Sequence, residues 1–234
     1  MFNFSIPRLP FRDDRLFGIL VLLFLAVPLV FILGVYEKYE TVKFFLFLLL
    51  IGAGLIVWSI RPKMARIKTA GLFWAFFLLV LFFGFLSVVF SLERVSGILG
   101  SYPRFSNGFL FLLAWLVLLL LFLPLVQENK RRLFFFQLVF LDAGLIAIVG
   151  IAQSLGFGFY EGLNMPVFAR APSLLGNPNF SVMFMAAALP LAAPLFFDAK
   201  KFASKIYYVL GVFAIIWAPI ILYSRGGWQG FLIS

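Results

Sequence analysis

Seven runs of about 20 mostly apolar residues, separated by short polar or basic segments, leave this chain one kind of fold. A helix rises about 1.5 Å per residue and a hydrocarbon core is about 30 Å thick, so each run has the length that crosses a membrane. The runs cover residues 16–35, 42–60, 70–90, 108–126, 133–154, 180–197 and 206–223. An eighth opens at Trp228 and holds only residues 228–234, so the chain is expected to stop inside a span. The predicted architecture is all-α: one polytopic transmembrane helical bundle over residues 1–234, with seven complete spans and the start of another. Composition supports this, since only 12% of residues are charged against about 25% in a soluble domain. The first run follows Arg8, Arg12 and Arg15, but it is long and Val35-Tyr36-Glu37 offers no small-residue cleavage site, so it reads as a retained anchor.

Successive spans place their loops on alternate sides, and Lys and Arg concentrate on the cytoplasmic one. One set of loops holds Arg8, Arg12, Arg15, Arg61, Lys63, Arg66, Lys68, Lys130, Arg131, Arg132, Lys200, Lys201 and Lys205, thirteen of the 19 basic residues. The other holds Lys38, Lys43, Arg94, Arg104, Arg170 and Arg225. The amino terminus is therefore expected in the cytoplasm, with loops 91–107, 156–179 and 224–227 outside. The net charge of +10 is spread through these clusters between apolar runs, so membrane lipid is an expected partner and nucleic acid is not.

The absence of His and Cys removes disulfides, thiolate nucleophiles, imidazole bases and nearly all transition-metal sites. The outer acids are Glu37, Glu40, Glu93 and Glu161, with no Asp-x-Asp or Glu-x-Asp pair to hold a divalent cation. Chemistry without a metal or cofactor is expected. Asp13 and Asp14 lie beside Arg12 and Arg15 and read as surface charge. Asp142 stands near mid-span in the fifth run, where a carboxyl is either functional or bonded to a neighbouring helix.

The outer loops share a design: Arg104, Arg170 and Arg225 precede the fourth, sixth and eighth spans. Each of those helices would present free N–H groups and a positive dipole end outward, where an anion is favoured. A guanidinium adds a fork of donors that fits phosphate oxygens. In 170–180, Asn177 followed by Pro178 predicts an N-cap with Pro at the first helical position and Asn179 in the first turn. Capping alone also accounts for that pattern. Asn179-Phe180-Ser181 matches a glycosylation sequon but falls at a helix start against the membrane. Ser224-Arg225-Gly226-Gly227-Trp228 combines a cation with close backbone approach, although a snorkelling Arg that closes a helix gives the same pattern.

Arg170 through Asn179, followed by Ser224 to Trp228, resembles the pattern of the O-antigen ligase and polymerase family, which includes O-linked protein oligosaccharyltransferases. Gly100-Ser101-Tyr102-Pro103-Arg104-Phe105 is similar to an upstream outer-loop motif of many members. The resemblance implies a glycosyltransferase-C-like helical fold of ten or more spans in the bacterial inner membrane. It implies transfer of a glycan from undecaprenyl diphosphate, at the outer face and without nucleotide or metal, to lipid A core, a growing polysaccharide or a protein. Arg170 and Arg225 would clamp the donor diphosphate, with Arg104 a third contact and Asn177, Asn179, Ser224, Gly226 and Tyr102 in support. The family's catalytic histidine would sit in a large outer loop after the eighth span, so the chain as it stands is expected to be inactive or a donor-binding half. Ligase, polymerase and protein transferase are not separated by these residues. Two other classes compete: a transporter or flippase of lipid-linked saccharides, and a membrane scaffold with incidental arginines.

Because the chain has no native cysteine, single substitutions report sidedness directly. Lys130→Cys and Arg132→Cys should react with an impermeant thiol reagent only from the cytoplasmic side, and Arg104→Cys only from the opposite one. Labelling at 130–132 from outside overturns the topology.

Overall fold

In lipid a backbone finds no water to bond, so long apolar runs settle as helices, which satisfy their own N–H and C=O groups. The computed structural model describes residues 15–32, 39–60, 71–102, 104–157, 170–222 and 224. Asp13, Asp14, Glu37, Pro103, Glu161, Arg225, Gly226, Gly227 and Trp228 lie outside these, as do Arg8, Arg12, Lys38, Arg61, Lys63, Arg66 and Lys68. Nine helices form among the described residues: α1 (Arg15–Leu29), α2 (Glu40–Ile60), α3 (Gly71–Val89), α4 (Arg94–Leu99), α5 (Phe109–Val126), α6 (Asn129–Ser154), α7 (Pro178–Ala188), α8 (Ala192–Asp198) and α9 (Phe202–Ile221). Short 3-10 turns occupy Phe105–Asn107, Ser173–Leu175 and Leu189–Leu191.

Five segments are long and apolar enough to cross a membrane: α2, α5, α6, the α7–α8 pair over Pro178–Asp198, and α9. The chain is accordingly an all-helical, multi-pass membrane protein. The first and third expected spans appear as shorter apolar helices, Arg15–Leu29 and Phe73–Val89. The expected sixth span is interrupted at Leu189–Leu191, where Pro190 has no N–H to continue the ladder. Loop 91–107 is largely structured, since it holds α4 and a 3-10 turn.

α6 is the central helix. Phe135 and Leu138, near its start, join Leu20 of α1, Phe47 of α2 and Leu118 and Leu121 of α5 in one apolar cluster. Farther along, Phe140, Ile146 and Ala147 join Met185 of α7, Leu195 of α8 and Ile215 of α9 in a second. The first is largely aromatic, with the Phe135 ring centroid 4.8 Å from Phe122, 5.2 Å from Phe24 and 5.5 Å from Phe17. α3 is peripheral and packs on α5, where Gly84 admits Phe109 and Leu112.

α1, α6 and α9 finish at one end of the bundle, where α2, α5 and α7 begin. This is called the loop end. The other end carries the tight α5–α6 and α8–α9 turns and most of the described basic residues. α1 stops directly after Pro28, leaving carbonyls with no following helical N–H. Lys43, in the first turn of α2, closes them: its ammonium donates to the carbonyl oxygens of Val30 at 2.6 Å, Pro28 at 2.7 Å and Val27 at 3.2 Å. A cation at the negative end of a helix is favoured by the dipole as well as by the bonds.

Lys43→Met should lower the unfolding free energy in mixed micelles by about 2 kcal/mol, the usual size for bonds to a charged group. Amide exchange should rise over residues 26–32, with partial recovery in Lys43→Arg. Unaltered exchange there would show that something else closes α1.

Candidate functional site

The approach to α7 is built from small and polar residues. Gly176 takes φ +77°, a left-handed conformation, and a Cβ there would lie only 2.5 Å from the Tyr39 ring. Glycine thus lets the start of α2 lie directly on the turn before α7. Asn177 follows in extended conformation as N-cap, its Oδ1 accepting from the Asn179 N–H at 2.9 Å with Pro178 at the first helical position. This is the cap that the Asn-Pro pair predicts.

The turn upstream is pinned against α6. Ser173 is fully buried with φ +53°, a conformation costing a branched or polar residue about 1 kcal/mol or more. Two bonds offset that cost: the Ser173 N–H donates to Gln153 Oε1 at 2.8 Å, and its Oγ–H donates to the Ile146 carbonyl at 2.6 Å. Ser181 Oγ lies 3.1 Å from the carbonyl oxygens of both Pro172 and Asn177. The segment therefore tucks beside α6 instead of looping free. Sequence reading passed over Gln153 and Ser173. The signal was present, because Gln153 falls eleven residues after Asp142, about three helical turns along the same face.

At the mouth of this arrangement, Asn179 Oδ1 accepts from Arg170 Nη2 at 3.0 Å and from Ser224 Oγ at 2.9 Å. Arg can only donate, so the amide oxygen must face it and the Asn179 NH₂ points elsewhere. Arg170 and Asn179 are exposed, whereas Ser224 is fully buried at the end of α9. Among the described residues, neither the Asn179 NH₂ nor the remaining guanidinium N–H groups have an acceptor. Unused donors thus stand beside the positive end of α7, an arrangement suited to an anion.

Tyr102 and Arg104 sit on the neighbouring turn. Gly100 has φ +82°, and Gly108 lies so close that a Cβ there would meet the Gly100 nitrogen. Ser101 and Arg104 form an isolated backbone bridge. Phe105 stacks on Phe44 of α2 at 5.2 Å, and Tyr102 meets Phe105 edge-on at 6.1 Å. α2 therefore supports both turns, through Phe44 on one and Tyr39 before its start on the other. Arg104 is exposed and heads the 3-10 turn, not α5 itself, which starts after Gly108. Its side chain makes no hydrogen bond among the described residues. The structure thus gathers Arg170, Asn177, Asn179 and Ser224, and leaves Arg104 and Tyr102 outside that hydrogen-bonded group. Arg225 and Gly226, next after Ser224 in the chain, fall outside the described residues.

Asp142 is fully buried at the middle of α6, with no hydrogen-bond partner for either carboxylate oxygen among the described residues. The sequence reading treated Lys43 only as an outer-loop charge. Its ammonium is instead committed to the end of α1.

Ser224→Ala should destabilise the chain by about 1 kcal/mol and Asn179→Ala, which also loses the Arg170 bond, by at least as much, with the double variant falling short of their sum because the Ser224–Asn179 bond is shared. Full additivity in chemical unfolding would show that the Ser224–Asn179 bond contributes nothing. No protein-family model matches this chain, and no curated protein or solved structure matches it.

Proposed function

We propose that the loop end binds the diphosphate of a lipid-linked glycan, as the donor site of a transferase like the O-antigen ligases and polymerases. In this reading the protein lies in the bacterial inner membrane with its amino terminus in the cytoplasm and the loop end at the outer face. The observation that carries it is the Arg170–Asn179–Ser224 group at the amino end of α7. Arg170 keeps donors for phosphate oxygens while one N–H holds it against Asn179, so the guanidinium is aimed before the ligand arrives. The Asn179 NH₂ adds a neutral donor at the same place. During transfer an acceptor hydroxyl bonds to the sugar carbon, the carbon–oxygen bond to diphosphate breaks, and the electron pair stays on the diphosphate. Donors fixed beside that growing charge stabilise it more than the ground state. The hydroxyl proton passes to a base that no residue here is assigned to supply. The acceptor is a lipid A core, a polysaccharide or a protein.

A second reading, a transporter or flippase of lipid-linked saccharides, draws on the break between α7 and α8 and on the buried Asp142. Interrupted spans and intramembrane carboxyls are common devices of transporters.

Purified protein should bind undecaprenyl diphosphate more tightly than undecaprenyl monophosphate, and Arg170→Ala should weaken diphosphate binding at least tenfold. Arg170→Lys should recover only part of it, since a point charge lacks the guanidinium fork. Equal binding by Arg170→Ala and the parent chain would sink the reading. Movement of labelled lipid across proteoliposomes, with diphosphate binding unaffected by Arg170→Ala, would favour the transporter.

A further inference from the structure

The turn joining α8 to α9 consists of Ala199, Lys200 and Lys201, at the end of the bundle opposite the candidate site. Lys200 and Lys201 are exposed. Lys205, one turn into α9, holds its ammonium 5.3 Å from the centroid of the Phe196 ring. Two phenyl rings flank the turn and protrude from it, Phe197 at 81% and Phe202 at 78% exposure. Asp198 ends α8 beside them, yet none of the three lysines forms an ion pair among the described residues. α6 packs against both α8 and α9 and begins at the same end with Lys130 and Arg132, the latter bonded to Asn129 Oδ1 at 2.6 Å.

Three ammonium groups with no ion-pair partner among the described residues, beside two protruding aromatic rings, ask for a partner with two chemistries. A phosphate answers the lysines, and only something with an apolar tail also answers Phe197 and Phe202. We propose that the α8–α9 corner binds an anionic phospholipid, with Lys200, Lys201 and Lys205 on the headgroup phosphate and the acyl chains along Phe197 and Phe202. The proposal stands apart from the diphosphate reading, because it concerns the other end of the molecule and different residues. Free phosphate would leave the two rings uncovered.

Native mass spectrometry of the full chain in nonionic detergent tests this, with phosphatidylglycerol and phosphatidylcholine of identical acyl chains as probes. The expected result is preferential retention of phosphatidylglycerol. Each lysine near an anionic headgroup contributes about a fivefold factor, so Lys200→Gln, Lys201→Gln and Lys205→Gln combined should weaken binding about a hundredfold. The corresponding triple arginine variant should keep it, and Lys130→Gln with Arg132→Gln should leave it intact. Phe197→Ser with Phe202→Ser should weaken both lipids. Equal retention of the two lipids, or phosphatidylglycerol binding that survives the triple glutamine change, overturns the proposal. So does displacement of the lipid by inorganic phosphate at comparable concentration, which would show that acyl chains contribute nothing.

Discussion

Every interruption of a helix inside an apolar bundle frees backbone groups that have no water to bond, and side chains must supply what water would have. Three such interruptions meet at the loop end, apart from the break at Leu189–Leu191. The end of α1 is closed by Lys43, reaching across from α2 to three carbonyls. The turn at Ser173 is held by Gln153 and by the Ile146 carbonyl of α6. The start of α7 is capped by Asn177, with Ser181 tied back to the preceding segment. The first two closures join separate helices and turns, so satisfying the backbone there also assembles the loop end. α2 is the common support, since its first turns carry Lys43 and Phe44 and Tyr39 precedes it under Gly176.

The same closures sort charge. The carbonyl end of α1 carries partial negative charge and has drawn in a cation. The N–H end of α7 carries partial positive charge, and yet Arg170 is held beside it. On its own that placement is unfavourable, and the Asn179 oxygen between them is what accommodates it. Among the described residues this leaves guanidinium and amide donors without acceptors at the amino end of α7. Asp142 is fully buried in α6, and among the described residues neither of its carboxylate oxygens has a hydrogen-bond partner. A lone charge in such surroundings is costly.

Much of this was legible from residue order. The apolar runs located the long helices to within a few residues, and Asn177-Pro178 announced the start of α7 and its cap. Where the reading departed, the cause was geometry between elements. The first run looks 20 residues long, but helix α1 ends at Leu29, after Pro28, and its last carbonyls are completed by Lys43 from α2. The sixth looks continuous, yet Pro190 divides it. Arg104 and Arg170 share a sequence context, but Arg104 lies on the α4–α5 turn, which docks on Phe44 and Phe45, while Arg170 reaches Asn179 nine residues on.

Residue order by itself determined that this chain dissolves in lipid, that it is helical, and which of its long segments are helices. Those properties follow from side-chain transfer energies and from hydrogen bonds made within one segment, both local quantities. Only the tertiary structure decided that Lys43 serves α1, that Gln153 and Ser173 bind each other, and that Arg170, Asn179 and Ser224 meet. Ser224 reaches Asn179 across 45 residues of chain, and no local preference encodes such a distance. It is set by how α6, α7 and α9 pack, which in turn depends on Ala, Gly and Ser positions small enough to let those helices approach.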